Sequence, residues 1–398
     1  MWKEAPMRHP MTGSRVIALL VSLGIATACG SAATLQSSGA PVTPATATSA
    51  TAAPATPAAT SPRAGVKRAD LLNGVSCAGQ QCIAVGSYYD GAAASHTLVE
   101  LWTGSAWRPE PSPDGPKYSS LQAVSCDVAV GCLAVGSPVI AGNGDRWRIV
   151  SPASTLDAVS CTGAGSCIAV GANTRAPLYA SWNGRAWHTG TMHAPPQQAQ
   201  SVTVAGVSCT SAANCMAVGD YSYGATAQPG NSYRDKILAE QWNGSSWRLL
   251  PVVNVSRTDR LTAVSCTSPG NCTAVGTSAQ QYPLAERWNG TAWRVEPVPA
   301  PGTVGYTQPT AVSCTSAVSC VAAGTYQGQP IAESWNGKSW RLQQLPEPPV
   351  DNHSAQLGGV SCASSKACMA VGVSGSGLSY AERYNGLGWR LTTTQNPA

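Results

Sequence analysis

The sequence of 398 residues has no phenylalanine, only five histidines and few charges, since Asp, Glu, Lys and Arg together make up 11%. A formal net charge of +5 is too small for the basic stripe that nucleic-acid binding requires. The histidines form no metal-binding or triad signature, and the phosphate-loop and nucleophile-elbow motifs are missing. We therefore expect no cofactor, no metal site and no nucleic-acid partner.

Long apolar segments are also scarce. The segment VIALLVSLGIATA, residues 16–28, is 13 residues long, whereas a membrane-spanning helix needs about 20. It follows the basic residues Lys3, Arg8 and Arg15, and this order is typical of an export signal over residues 1–28. Two interpretations of its end remain open: ordinary cleavage after Ala28, which gives a soluble secreted protein, or a lipobox in which Cys29 is acylated.

The cysteine count favours the lipobox. Fourteen of the 15 cysteines fall into seven close pairs, which leaves Cys29 without a partner. Residues 30–65 are rich in Ala, Thr, Ser and Pro and cannot bury a core, so we predict a disordered tether over 29–65. The prediction is an exported domain, residues 66–398, held at the membrane by the lipid on Cys29 alone.

The paired cysteines mark a repeat of 35 to 57 residues, a length typical of propeller blades. Each first Cys ends a Val-Ser-Cys triplet, and each second Cys is followed, after one residue, by Ala-Val-Gly or once by Ala-Ala-Gly. The pairs are Cys77/Cys82, Cys126/Cys132, Cys161/Cys167, Cys209/Cys215, Cys266/Cys272, Cys314/Cys320 and Cys362/Cys368.

Each repeat contains four short strand patterns. In the fourth repeat these are Val204 to Cys209, Cys215 to Gly219, Ile237 to Trp242 and Ser246 to Pro251, with an Asn-Gly hairpin signal before the last. Seven such units predict an all-β fold, a seven-bladed β-propeller. Cysteines that flank a hairpin face each other across two strands, so we predict one disulfide per blade. Zinc sites prefer shorter Cys spacing and two converging pairs.

Trp and Glu also recur in the repeat. Trp-Asn-Gly-x-x-Trp begins at Trp182, Trp242, Trp288 and Trp335, while the short second unit keeps only the later Trp147. A Glu stands two residues before the first aromatic residue in five units. These residues suggest a sugar-binding ring or a glycosidase carboxylate pair. Because they recur in equivalent places, we instead predict blade packing for Trp and a structural role for Glu, such as accepting hydrogen bonds from the hairpin turn.

The order of these motifs resembles the Asp-box class of β-propellers, which includes bacterial sialidases and photosystem-assembly-factor-like proteins. The Gly and the final Trp of the box are present, while Asn or Thr replaces its Asp. The whole repeat, residues 71–398, is more similar to uncharacterised secreted or lipoprotein propellers of actinobacteria. The resemblance implies the architecture, and sialidase activity is not carried over because its catalytic residues have no counterpart that can be placed here.

Variation between repeats is concentrated in the connections between the second and third strands and between blades, which lie on one face of a propeller. Variable loops on a rigid scaffold are common binding sites. We therefore predict a monomeric module that binds a protein or glycan partner at the cell surface, and the alternative is a carbohydrate-active hydrolase or lyase at the axial mouth. The candidate binding residues are Tyr88, Tyr89, His96, Tyr118, Tyr221, Tyr223, Tyr233, Arg234, Asp235, Arg257, Arg260, Tyr282 and Tyr326.

Overall fold

The computed structural model describes residues 69–395, with gaps at 91–93, 117, 128–130, 144–145, 153–154, 164, 196–198, 225–233, 303–305 and 347–353. The predicted signal peptide, Cys29, the tether and Tyr233 lie outside the described residues. Within the described part the chain forms seven four-stranded antiparallel sheets and one 3-10 helix, Ala279–Gln281. The predicted seven-bladed β-propeller is confirmed.

Each blade consists of four consecutive strands, which are numbered in chain order. Blade 1 contains β1 (Asp70–Ala78), β2 (Gln81–Tyr89), β3 (Ser95–Trp102) and β4 (Trp107–Pro109). Blade 2 contains β5 (Ser120–Asp127), β6 (Gly131–Ser137), β7 (Ile140–Gly142) and β8 (Trp147–Ile149). Blade 3 contains β9 (Ala158–Cys161), β10 (Cys167–Ala172), β11 (Pro177–Trp182) and β12 (Trp187–Thr191). Blade 4 contains β13 (Ser201–Ser211), β14 (Asn214–Tyr223), β15 (Arg234–Trp242) and β16 (Trp247–Leu249).

The last three blades follow the same plan. Blade 5 contains β17 (Arg260–Ser268), β18 (Asn271–Thr277), β19 (Pro283–Trp288) and β20 (Trp293–Glu296). Blade 6 contains β21 (Thr307–Ser316), β22 (Ser319–Tyr326), β23 (Gln329–Trp335) and β24 (Trp340–Gln343). Blade 7 contains β25 (Ala355–Ser364), β26 (Ala367–Ser374), β27 (Ser379–Tyr384) and β28 (Trp389–Thr392).

The second strand of each blade carries the Ala-Val-Gly motif, or Ala-Ala-Gly in blade 6, and is buried on both faces. In β2, Cys82 and Ala84 belong to an apolar cluster shared with blade 7, whereas Ile83 and Val85 pack against blade 2. Since successive side chains of a strand point to opposite faces, this one strand contributes to two clusters. The hydrophobic core therefore lies between the blades.

The glycine that ends the Ala-Val-Gly motif is required by close backbone approach. In blade 1, a Cβ on Gly86 would lie 1.8 Å from the carbonyl oxygen of Leu71 on the neighbouring strand. The first strand bulges immediately beyond this point, between Leu72 and Gly74. The same overlap, 1.8 to 2.5 Å, would occur in all seven blades, at Gly86, Gly136, Gly171, Gly219, Gly276, Gly324 and Gly372.

All seven predicted disulfides are present, and the paired Cα atoms are 3.9 to 4.0 Å apart. In each blade the two cysteines are direct cross-strand partners, as Cys209 and Cys215 are in blade 4. Disulfides persist in oxidising compartments, so they indicate an environment outside the cytoplasm. Among the described residues, no helix has the length and apolar character needed to cross a membrane.

The serine of each Val-Ser-Cys triplet connects neighbouring blades. Its Oγ accepts a hydrogen bond of 2.9 to 3.0 Å from the backbone N–H of the first Cys in the following blade. The series ends where it began, because Ser361 of blade 7 accepts from Cys77 of blade 1. The ring closes without a strand shared between the first and last blades.

Candidate functional site

The strand order gives the propeller two different faces. The connections between second and third strands and between blades, such as 173–176 and 250–259, lie on one side, which we call the loop face. The turns between first and second and between third and fourth strands, such as 79–80 and 103–106, lie on the other, the hairpin face. The described candidate residues are at strand ends or connections of the loop face.

Blade 1 holds a compact group around His96. The His96 ring stacks on its cross-strand partner Tyr88, with centroids 4.9 Å apart. Its Nδ1 lies 2.7 Å from Asp114 Oδ2, and its Nε2 lies 3.2 Å from Asp90 Oδ2. Hydrogen bonds with Asp114 and Asp90 raise the pKa of His96. A carboxylate at each ring nitrogen favours the doubly protonated imidazolium, since both nitrogens then donate.

Blade 4 holds a second group, which extends to the first strand of blade 5. Asp235 accepts hydrogen bonds from Arg260 Nε at 2.9 Å and Nη2 at 2.6 Å, and from Ser222 Oγ at 2.6 Å. Tyr221 and Tyr223, whose ring centroids are 6.1 Å apart, lie on the other face of β14 and pack against the apolar cluster shared with blade 3. Asp235 is buried, while the Arg260 side chain is 54% exposed. The guanidinium thus keeps a surface available for contact.

Asp220 is the acidic residue of this group whose proton affinity is most altered. Burial raises its pKa to about 6, an effect that Arg260, with Nε 3.9 Å from Asp220 Oδ2, partly opposes and Asp235 reinforces. The two aspartates share one arginine. The group therefore gains a negative charge as the pH rises through about 6.

The remaining candidates do not form one cluster. Tyr89, Tyr118 and Tyr282 are exposed at 41%, 70% and 39%, and they come from three different blades or connections. Arg234 and Arg257 are exposed near the blade 4 group. The hydroxyl of Tyr326 packs close to the backbone of Gly302. Blades 1 and 4 are not neighbours in the ring, so the structure presents two separate groups.

The sequence placed Tyr221, Tyr223, Arg234 and Asp235 in a long connection, and the structure corrects this placement. They lie in β14 and β15, where backbone pairing continues to Tyr223 opposite Arg234. Three aspartates that the sequence analysis did not single out, Asp90, Asp114 and Asp220, complete the two groups. Asp90 and Asp220 could have been found from the sequence, because each is adjacent to a tyrosine of its second strand.

The recurring Trp residues are packing residues, as predicted. In five blades the two indoles of the hairpin between third and fourth strands lie with centroids 5.2 to 5.8 Å apart. The Asn between them closes the turn: Asn183 Oδ1 accepts from the N–H groups of Arg185 and Ala186. The same arrangement is found at Asn243, Asn289, Asn336 and Asn385.

The recurring Glu residues are buried inside the blades, with at most 2% of each exposed, at Glu100, Glu240, Glu286, Glu333 and Glu382. The predicted hydrogen bonds from the hairpin turn are wrong, because Asn satisfies that turn. Glu240 Oε2 instead accepts from the N–H of His193, in the connection arriving from blade 3. Burial raises the pKa of Glu100, Glu286 and Glu333 to about 8 and that of Glu240 and Glu382 to about 7.

The paired cysteines are confirmed as disulfide partners, but the structure places the second cysteine of most pairs in the core, away from any accessible site. It lies on the second strand, which neighbouring strands cover on both sides, and it is 1 to 3% exposed at Cys215, Cys272, Cys320 and Cys368. The apolar clusters between blades include each of these four residues. They therefore contribute to the packing between the blades.

Across the described part of the chain, no group of three or more His, Cys, Asp or Glu side chains could hold a metal ion. The buried Glu side chains lie inside the blades, and the two loop-face groups each contain a pair of aspartates, Asp90 with Asp114 and Asp220 with Asp235.

No protein-family model and no curated protein matches this chain. Among solved structures, it is similar to the β-propeller domain of Cps50 (Swd1) from Myceliophteria thermophila, with TM-score 0.54, 11% identity and coverage of 79% of this chain and 96% of that one. It is also similar to the β-propeller domain of the Trilobed protease from Pyrococcus furiosus, described as having an open velcro topology, with TM-score 0.53, 8% identity and coverage of 83% and 100%.

A weaker match is YCF48 bound to D1 peptide, with TM-score 0.38, 12% identity and coverage of 59% of this chain and 65% of that one, which is just under two thirds of its length. At identities of 11 and 8%, the two β-propeller domains show a shared fold and no more.

Proposed function

We propose that this protein is an exported, monomeric β-propeller that binds a protein or glycan partner at the cell surface through its loop face. One observation carries the proposal: the recurring Trp and Glu side chains are used in packing, while exposed Tyr and Arg side chains and ion pairs lie on the loop face of blades 1, 4 and 5. Tyr and Arg are enriched in recognition surfaces.

The same proposal places the protein on a lipid anchor. Fourteen cysteines are joined in disulfides within the blades, and Cys29 is the remaining one in the sequence. Acylation of Cys29 would explain this unpaired cysteine, and residues 30–65 would then be a spacer between the membrane and the propeller. Cys29→Ala should release the protein from the membrane fraction of producing cells, and continued retention would contradict the anchor.

The loop-face proposal is tested by comparing partner capture between matched variants of the full-length protein. The loop-face variant carries Tyr89→Ala, Arg234→Ala and Arg257→Ala, three exposed positions. The control variant carries Arg185→Ala and Lys338→Ala, which are exposed in turns of the hairpin face. We expect the loop-face variant to bind the captured partner at least about tenfold more weakly, because interface anchors of this type carry about 2 kcal/mol or more.

Equal partner binding by the two variants would overturn the proposal.

A glycan array followed by a hydrolysis screen distinguishes the enzymatic alternative. Turnover of a glycan that is lost on substitution of one carboxylate would show a carbohydrate-active enzyme, and the binding module would then be rejected.

A further inference from the structure

Blade 2 departs from the other blades at one position of its third strand. In six blades the second cysteine is paired across the sheet with an aromatic residue: Trp102, Trp182, Trp242, Trp288, Trp335 or Tyr384. In blade 2 the partner of Cys132 is Gly142, and Cys132 is only partly buried. The aromatic side chain that fills this position elsewhere is therefore missing from blade 2.

A cleft of about 670 Å³ opens on the hairpin face between blades 2 and 3. The equivalent spaces between blades 3 and 4 and between blades 6 and 7 are about 320 and 280 Å³. The blade 2–3 cleft is thus about twice as large as its counterparts. It opens where Gly142 stands in place of an aromatic residue.

The walls of the blade 2–3 cleft combine aromatic rings with positive charge. Trp147 of blade 2 and Trp182 of blade 3 line it, and the Trp147 ring lies against Gly142, 2.6 Å from where a Cβ would stand. Arg146 and Arg148 line it too. Neither arginine has a carboxylate partner in the part of the chain that the structure describes. Five of the other eleven lining residues are glycine, so a ligand can approach the backbone closely at those positions.

We propose that the blade 2–3 cleft is a second binding site, which receives an aromatic side chain of a partner polypeptide next to a carboxylate. The other blades supply the shape argument, because an aromatic ring packs beside the later Trp in each of them. The two arginines supply the charge complementarity, since a guanidinium binds a carboxylate through paired hydrogen bonds. The site is on the opposite face from the loop-face groups and is independent of them.

Saturation-transfer NMR on the full-length protein tests this site with acetylated tryptophyl-aspartate as the probe. We expect saturable binding of this dipeptide and little binding of alanyl-aspartate or tryptophyl-lysine. Arg148→Glu should weaken the binding of tryptophyl-aspartate at least about tenfold, because the charge-assisted hydrogen bond is replaced by repulsion between like charges. The same variant should bind tryptophyl-lysine more tightly than the wild-type protein does. Trp147→Leu should weaken the binding of both tryptophyl peptides.

Arg248→Glu is the matched control, because Arg248 follows the later Trp of blade 4, where Trp242 occupies the aromatic position. It should leave binding unchanged. Arg148 is exposed on the edge strand β8, so the Arg148→Glu variant is expected to fold even where Trp147→Leu does not. Absence of binding by the wild-type protein, equal binding by Arg148→Glu, or binding of glucuronic acid at this cleft in place of the dipeptide would each overturn the proposal.

Discussion

The five buried glutamates have consequences for stability that can be stated residue by residue. Each is more easily protonated in the folded protein than in the unfolded chain, because burial disfavours the carboxylate. For Glu286 the unfolded value is 4.5 and the folded pKa is about 8. Between these values the folded state binds more protons than the unfolded state. The stability that Glu286 contributes is therefore complete below pH 4.5 and is lost as the pH rises towards 8.

Glu286→Gln should make the stability of the protein less dependent on pH. The amide stays neutral, so the free energy of unfolding should fall less steeply between pH 4.5 and 8, by up to about 1.4 kcal/mol per pH unit. Urea denaturation of both proteins at a series of pH values measures the two slopes. Equal slopes would show that the carboxyl group of Glu286 ionises in the folded protein as it does in water.

Recurrence in the sequence predicted that these glutamates are structural, but it could not identify their partners. The N–H that Glu240 accepts belongs to His193, which lies in a connection from the preceding blade. Val253 and Gln395, at the equivalent positions of two other connections, offer their backbone N–H groups to Glu286 and Glu100, but a backbone N–H is not marked by any residue type in the sequence. The role of the serine in Val-Ser-Cys could not be predicted for a related reason, since its partner is a backbone N–H of the next blade and any residue type supplies one.

Among the elements, the glycine of the second strand lies close to the backbone of the first strand in every blade, and the first strand bulges there in six of the seven. Gly276→Ala would place a Cβ 1.9 Å from the carbonyl oxygen of Arg260. We expect a loss of about 3 kcal/mol or more of unfolding free energy, because a backbone atom cannot rotate away. Gly388→Ala is the control, since a Cβ there meets nothing within 4 Å. A thermal melt of each variant gives the comparison, and equal midpoints would refute the steric argument.

The strands themselves were predicted in number and order. In blade 4 the lengths of the first three strands were underestimated, while the fourth, predicted from Ser246 to Pro251, is shorter than expected. The sequence predicted that the second strand of blade 4 ends at Gly219, and the structure continues it to Tyr223. Apolar alternation ends near Gly219, but pairing through backbone hydrogen bonds does not require apolar side chains. The loop-face groups of blades 1 and 4 lie on such extensions of the strands. The sequence therefore predicted which face these residues are on, but not that they belong to strands.

For the whole molecule, the decisive feature is how the seventh blade meets the first. Besides the Ser361 bond, Trp107 Nε1 donates to Thr392 Oγ1 at 3.0 Å, and the Arg383 guanidinium lies 6.0 Å from the Trp102 ring centroid. One apolar cluster contains residues of both blades. This junction thus uses the same kinds of contact as the junctions between consecutive blades.

Ser361→Ala and Ser208→Ala should therefore destabilise the protein by similar amounts. Ser208 makes the equivalent bond between blades 4 and 5, which the chain also connects covalently. Each substitution removes the acceptor of one backbone N–H and should cost about 1 to 3 kcal/mol. Chemical denaturation of the two variants measures the difference. A much larger loss for Ser361→Ala would mean that the junction between blades 7 and 1 is the weak point of the ring.

A ring in which every blade is a complete sheet has no preferred place for its chain ends. Because no sheet combines strands from both termini, the polypeptide could begin at any of the seven connections and still form the same sheets. Such circularly rearranged genes, or genes that gain or lose one whole repeat, would preserve every pairing within a blade. The fold can therefore change its number of recognition loops by duplication of a single coding unit.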